Sequence, residues 1–195
     1  MTRTACRSFS GVRSGLGPAV ALLLLLPSPL AAAPGWVREA ISMPSTSPDS
    51  AAARVRWDSR ELEFRGGGLW REWHRRVVEI RDPDTAPAAA RAIVSYRTDS
   101  MQLREFRAWL VGPDGRETPL GNDEAFEVAI LDATIFNEGR RRVLTPTGAV
   151  QPGSFFAWES RVDERTPFQE YGVVVSTEYP VEECTVSLRT RRDDV

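Results

Sequence analysis

Short strand-like segments separated by turn signals constrain the fold of this chain more than any other feature. From residue 54 onward, apolar and polar residues alternate in short runs, as they do in strands with one buried face. Turns rich in glycine, proline or aspartate separate these runs at residues 66–68, 82–84, 112–115 and 151–153. The pattern predicts an all-β, antiparallel β-sandwich of about eight to ten strands. No segment has the period and length of a regular helix, and no internal repeat is present.

The same patterns place the strands along the sequence. We expect the first two strands to form a hairpin. The nine expected strands span residues 54–64, 69–81, 91–96, 102–111, 117–120, 140–145, 154–162, 173–177 and 183–190. Leu62 and Phe64 are out of phase with Val55 and Trp57, which predicts a β-bulge near residues 59–61. Residues 121–139 fit no single pattern, and we expect a helical turn or an irregular crossing over residues 123–131.

The first 33 residues have the organisation of a secretory signal peptide, which we expect to be helical. The segment is basic, then apolar, then rich in small residues, and its only charges are Arg3, Arg7 and Arg13. The apolar run over residues 19–26 is too short to span a bilayer and is followed by prolines. Because Pro34 disfavours cleavage directly after Ala33, we expect the cut one or two residues earlier. An uncleaved anchor is the alternative.

Export places the mature protein in the periplasm or outside the cell, with no stable membrane anchor after cleavage. Residues 34–53 are rich in proline, serine and alanine and are expected to be a linker. Within it, Trp36, Val37 and Ile41 are expected to dock a short helix or strand against the domain. Residues 54–195 form the predicted β-sandwich domain.

Charge and residue counts exclude several classes of function. The chain has 25 arginines, no lysine and 27 acidic residues, for a net charge of −2. A nearly neutral chain is a poor nucleic-acid binder, because such binding needs a basic face. One histidine excludes a two-histidine zinc site, and two cysteines exclude a four-cysteine zinc site or a disulfide framework. We therefore assign no catalytic, cofactor-binding or metal-binding residue.

Cys184 is the only cysteine that remains after removal of a leader containing Cys6. Cys184, Val186 and Leu188 alternate with polar residues, which predicts that they lie on the buried face of a strand. The alternative is a reactive thiol, and a hydrolase would then need His74 beside it. For His74 the structural interpretation is preferred over a catalytic one.

Other polar and aromatic groups have a structural and a functional interpretation. Four acidic pairs, none with calcium-loop spacing, are expected to be solvated: Asp82 with Asp84, Asp123 with Glu124, Glu182 with Glu183, and Asp193 with Asp194. The densest basic run, at residues 140–142, follows a shorter one at residues 75–76. It is expected to be a solvated strand edge, or alternatively a docking patch for an acidic partner domain or an anionic envelope polymer. Among the six tryptophans, Trp57 and Trp158 are expected in the core, while Trp70 and Trp73 should face opposite sides of one strand.

A series of segments in fixed order carries a family resemblance. It runs from Trp36-Val37 through 73–76, Tyr96 with 103–108, Pro113-Asp114-Gly115, Phe136 with 142–144, and 150–159, to Pro167-Phe168 and 179–181. Over roughly residues 36–193 the chain resembles the domain of unknown function 3857. In secreted bacterial proteins that domain lies between a signal peptide and a transglutaminase-like, papain-fold domain. The resemblance implies a β-sandwich whose partner, in cis or in trans, would carry a Cys-His-Asp triad. The family supplies no catalytic residues to this chain.

The sequence therefore predicts an exported, non-catalytic β-sandwich module that positions a transglutaminase-like peptidase or transferase, or that enzyme's substrate. The alternatives are a stand-alone envelope module that binds glycan or peptide, and a small cysteine hydrolase using Cys184 and His74. The oligomeric state is not predicted.

Overall fold

A computed structural model describes residues 32–46, 50–121, 124–130, 138–166, 172 and 178–190. The expected leader lies outside these residues, apart from Ala32 and Ala33. In chain order the elements are α1 (Gly35–Ser42), β1 (Ala53–Phe64), β2 (Leu69–Ile80), a 3-10 turn (Pro83–Thr85), α2 (Ala86–Ala89), β3 (Ala92–Arg97), β4 (Met101–Val111), β5 (Glu117–Leu120), β6 (Ala125–Ala129), β7 (Gly139–Leu144), β8 (Ser154–Arg165) and β9 (Cys184–Thr190).

The described strands form two sheets, which confirms the predicted all-β sandwich. The large sheet has the strand order β5-β4-β8-β2-β1-β9, and the small sheet has the order β3-β7-β6. Within these sheets every pairing is antiparallel except that of β9 with β1. The strand expected at residues 173–177 lies outside the described residues.

The hairpin of β1 and β2 forms as predicted, but its bulge lies elsewhere. Three glycines with positive φ make the turn, where a Cβ on Gly68 would lie 2.5 Å from the carbonyl oxygen of Thr166. The register shift falls between Val55 and Trp57, so the prediction of a bulge near residues 59–61 is wrong. The shift puts Val55 on the inner face of the sheet and Trp57 on the outer face. Asp58 is thereby turned inward.

The small sheet corrects two expectations. Residues 125–129, expected in a helical turn or irregular crossing, form strand β6, which pairs with β7. Strand β7, which holds Arg140, Arg141 and Arg142, lies between β3 and β6. The interpretation of this basic run as a strand edge is therefore wrong, since β7 is the central strand of the small sheet.

Two apolar clusters fill the part of the molecule that the structure describes. The larger one lies between the sheets and contains Val55, Val78, Ile80, Leu144 and Phe156 among its buried members. The smaller one lies on the outer face of the large sheet, where α1 packs Val37 and Ala40 against residues that include Val77, Trp109 and Ala157. Helix α1, inside the segment expected to be a linker, thus covers apolar sheet surface. Trp158 is buried as expected, whereas Trp57 is only partly buried beneath α1.

Strand β9 departs furthest from its prediction. It is a strand at the expected place, but it lies at the sheet edge and all seven of its residues are exposed. The expectation that Cys184, Val186 and Leu188 are buried is wrong, because no described element packs over either face of β9. Val186 is 46% exposed and Leu188 is 60% exposed.

Candidate functional site

The inner face of the large sheet changes from apolar to polar along its strands. Residues paired across neighbouring strands point to the same side of a sheet. Asp58 pairs with Arg76, and Arg60 pairs with His74, which in turn pairs with Ser160 on β8. These polar residues therefore continue the face that Val55 and Val78 begin.

Asp58 and His74 form a buried hydrogen-bonded pair. Their Oδ1 and Nε2 atoms are 2.8 Å apart, and the imidazole meets Trp158 edge-on with ring centroids 4.5 Å apart. Burial lowers the pKa of His74 and outweighs the hydrogen bond to Asp58, which acts in the opposite direction. A neutral imidazole then donates Nε2–H to the carboxylate.

Asp58 keeps its charge in this position. Burial alone would raise the pKa of its carboxyl, but the hydrogen bond from His74 and the neighbouring cations Arg76 and Arg60 hold that pKa below its ordinary value. The Nη1 atom of Arg76 lies 3.7 Å from Oδ2 of Asp58. The three side chains form a row, defined here as the Asp58–His74–Arg76 row.

Within this row, only some of the hydrogen-bond donors of Arg76 have an acceptor. Its Nε is buried and has no hydrogen-bond partner among the described residues. Burial lowers the pKa of its guanidinium, although Asp58 opposes this effect. An unpaired buried donor is costly, so Nε of Arg76 lowers the stability of the folded protein.

An open cleft of about 480 Å³ lies above this row, between the large sheet and the edge strand β3. Its charged lining consists of Arg60, Glu72, Arg76, Arg91 and Glu178, with Tyr179 and Ser160 as further polar groups. Arg60 is paired with Glu72 at 3.0 Å. Arg91 is exposed and makes no ion pair with a described residue. The cleft can therefore offer arginine donors to a carboxylate or phosphate oxygen.

Cys184 and His74 are not brought together as a catalytic pair. Cys184 is exposed on β9, while His74 is buried on β2, and β1 lies between these strands. Asp58 pairs in register with both Cys184 and Arg76, and it holds Nε2 of His74. Among the described residues, no hydrogen bond joins the thiol to the imidazole.

Two other sequence-predicted groups have different surroundings from those expected. Glu182 was expected to be solvated, but its side chain is only 4% exposed. It lies 3.5 Å from Arg54 and accepts hydrogen bonds from the side chains of Ser45 and Thr46, so the prediction of a solvated group is wrong. Trp70 and Trp73 do face opposite sides of β2, as predicted, and both are partly buried.

Asp58 and Arg91 were missed at the level of sequence. The alternation of Val55 and Trp57 placed Asp58 on the solvent side, and only the bulge reverses this direction. Arg91 stands directly before β3 with no motif around it, so the sequence carried no signal for its position in the cleft. The described residues contain no group of three or more His, Cys, Asp or Glu side chains suited to a metal ion.

Fold and site together define a β-sandwich in which the Asp58–His74–Arg76 row, with Asp58 and His74 buried and Arg76 partly buried, borders an open polar cleft. The chain belongs to the family DUF3857, described as a domain of unknown function with a solved structure, whose family model matches residues 67–193. No curated protein matches the chain. None of the helices in the described residues is long and apolar enough to cross a membrane.

A solved structure of a suspected protease from Parabacteroides distasonis has a similar fold. The match has a TM-score of 0.65 and 15% sequence identity, and covers 73% of this chain. The chain spans only 29% of that protein's length. The CBM3a-L domain of a cellulosome scaffoldin from Clostridium thermocellum matches with 11% identity over 71% of this chain and 82% of its own. Its TM-score of 0.31 is too low to support an argument.

Proposed function

We propose that this chain is an exported, non-catalytic β-sandwich module that positions a transglutaminase-like peptidase or transferase domain, or presents substrate to it. The observation that carries the proposal is the uncovered strand β9. Its apolar side chains Val186 and Leu188 are exposed next to a sheet face that continues into the cleft. Exposed apolar side chains on an edge strand favour a partner that covers them.

Two further observations support a positioning role. The structural match in the suspected protease covers only part of a longer chain, as expected for a module that accompanies another domain. Within this chain, the imidazole of His74 is bonded to Asp58 and Cys184 lies apart from it, which argues against a cysteine hydrolase. The partner is joined in cis or acts in trans. Export to the periplasm or beyond rests on the character of residues 1–33.

The test uses the thiol of Cys184, which is exposed on β9. A benzophenone maleimide attached there would cross-link whatever covers this strand on illumination in an envelope extract. We expect the cross-linked peptides to come from a transglutaminase-like domain, on a longer form of this chain or on a separate protein.

A matched pair of variants makes this test specific. Val186→Asp should lower the cross-link yield about tenfold, the effect of losing about 1.4 kcal/mol of binding free energy. Val128→Asp on β6 is the control, since Val128 is 44% exposed and Val186 is 46% exposed. Cross-links only to other copies of the chain, or to proteins without such a domain, would contradict the proposal. Equal losses in both variants would do the same.

The cleft favours one second candidate, a stand-alone envelope module that binds peptide or glycan. Arg91 lines the cleft and is exposed, so its guanidinium is a donor suited to a carboxylate-bearing ligand. Titration with soluble cell-wall fragments separates the two functions. Saturable binding that Arg91→Ala abolishes, and that the exposed control Arg141→Ala preserves, would favour this second candidate.

A further inference from the structure

Ala33 lies at the start of the described residues, and a carboxylate holds its backbone amide. Its N–H donates to Oε2 of Glu117 on β5 at 2.6 Å. The guanidinium of Arg38 donates to the carbonyl oxygen of Ala33 at 2.8 Å and to Oε1 of Glu117 at 3.2 Å. Ala33 is 1% exposed and belongs to the apolar cluster beneath α1, whereas Ala32 is exposed.

We propose that export cleavage falls between Ala32 and Ala33, and that the new amino terminus forms an ion pair with Glu117. This inference rests on the proposed export of the chain. A signal peptidase would hydrolyse the Ala32–Ala33 peptide bond with one water molecule. The carboxylate of Ala32 leaves with the leader, and the amine of Ala33 takes up a proton to become an ammonium group.

The surroundings of Ala33 suit an ammonium group. A buried charge is stable only when it is paired and hydrogen-bonded, and the nitrogen of Ala33 already lies within hydrogen-bond distance of a carboxylate. An ammonium–carboxylate hydrogen bond is stronger than the amide–carboxylate bond that it replaces. Arg38 then keeps its contacts with both Ala33 and Glu117.

The neighbouring peptide bonds fit less well. Cleavage after Ala33 would remove the residue that Glu117 and Arg38 hold, and would leave Pro34 as the first residue. Cleavage after Ala31 would leave the amine on Ala32, which is exposed and has no hydrogen-bond partner among the described residues. Of the three possible cuts, only the one after Ala32 puts the positive charge beside Glu117.

The first experiment determines the amino-terminal peptide of the native exported protein by mass spectrometry. We expect the chain to begin at Ala33. A different first residue would overturn this inference while leaving export intact. A chain that retains the whole leader would instead contradict the export proposal itself.

The second experiment tests the ion pair, and the composition of the chain makes the measurement specific. Because the chain has no lysine, the amino terminus is its only aliphatic amine. In a chain that begins at Ala33, acylation of this amine should be about tenfold slower than in its Glu117→Gln variant. Glu39→Gln, which removes an exposed carboxylate from α1, is the control and should acylate at the wild-type rate.

A stability measurement completes the test. An additional Ala32 at the start should lower the Tm by about 2–4 °C in the wild type, since a loss of about 1 kcal/mol has this effect in chains of this size. The same extension should have no effect in Glu117→Gln. Equal acylation rates in all variants, or equal Tm losses with and without Glu117, would overturn the ion pair.

Discussion

His74 is the only histidine of the chain, and burial makes its charged form unfavourable in the folded protein. Its folded pKa lies below the unfolded value of 6.5, so the unfolded chain binds more protons as the pH falls through this range. The contribution of His74 to the free energy of unfolding should therefore be fully present above pH 6.5, and it should decrease as the pH falls below this value. The charged groups around the imidazole are Asp58 and Glu72, which favour its proton, and Arg60, which opposes it.

The pH dependence of unfolding checks this expectation. Between pH 7 and pH 5, the free energy of unfolding should fall by up to about 1.4 kcal/mol per pH unit through this one group. His74→Gln removes the titration and keeps an amide donor for Asp58, so its urea-derived stability should be flatter over the same range. Parallel profiles for the two proteins would show that the folded protein does not disfavour the imidazolium.

At the scale of residues, the sequence indicated the role of a residue more reliably than the side of the strand that its side chain faces. It found His74 and favoured a structural role, and it predicted that Trp70 and Trp73 face opposite sides of β2. It misplaced the bulge, and every side chain between the two bulge positions then faces the wrong side. Asp58 was missed for this reason, since one extra residue in β1 reverses its direction.

At the scale of elements, the bounds of the regular strands were predicted closely, but their environments were not. Residues 117–120 form β5 as expected, because a proline–glycine turn fixes the hairpin before them. Strand β6 was missed because its exposed residues show no buried alternating face, and pairing with β7 alone defines it. Likewise, the alternation in β9 could not show that no described element covers either face of this edge strand.

Glu182 links parts of the chain that lie far apart in the sequence. Its buried carboxylate connects the segment after α1, through Ser45 and Thr46, with Arg54 on β1 and with the start of β9. Glu182→Ala removes one partner of this buried ion pair, which typically costs about 3–5 kcal/mol. We expect a loss near the lower end of this range, because Arg54 also pairs with Glu79 at 3.4 Å.

Urea unfolding measures this loss directly. Glu183→Ala is the matched control, since Glu183 is the next residue and is exposed, and it should change the stability by less than about 0.5 kcal/mol. A small effect of Glu182→Ala would mean that the segment after α1 and β9 are held independently of this carboxylate.

At the scale of the whole molecule, α1 acts as a cover for the outer face of the large sheet. Deletion of residues 33–42 should expose Val77, Trp109 and Ala157 and lower the free energy of unfolding by several kcal/mol, given about 1.5–3 kcal/mol for each large apolar side chain uncovered. Increased binding of an apolar dye and a lower urea midpoint would check this. Glu39→Ala, on the exposed side of α1, should change neither quantity.

The fold class could be predicted from turn spacing, but the arrangement of the sheets could not. Hairpin partners follow from short turns, whereas the placement of β8 between β2 and β4 depends on contacts between distant residues. The cleft exists because β3 joins the small sheet and runs beside the polar part of the large one. No local pattern encodes that proximity.

The parallel pairing of β9 with β1 has a mechanical consequence. The residues just before β9 are fixed in two ways. The backbone N–H of Val55 donates a hydrogen bond to the carbonyl oxygen of Pro180, and Glu182 forms an ion pair with Arg54. Seven residue pairs, from Asp58 with Cys184 to Phe64 with Thr190, then follow in the same direction. Tension applied at Thr190 along the strand axis loads these pairs together in shear and does not open them one at a time. The whole length of the strand would therefore resist the force transmitted by a tether attached at Thr190.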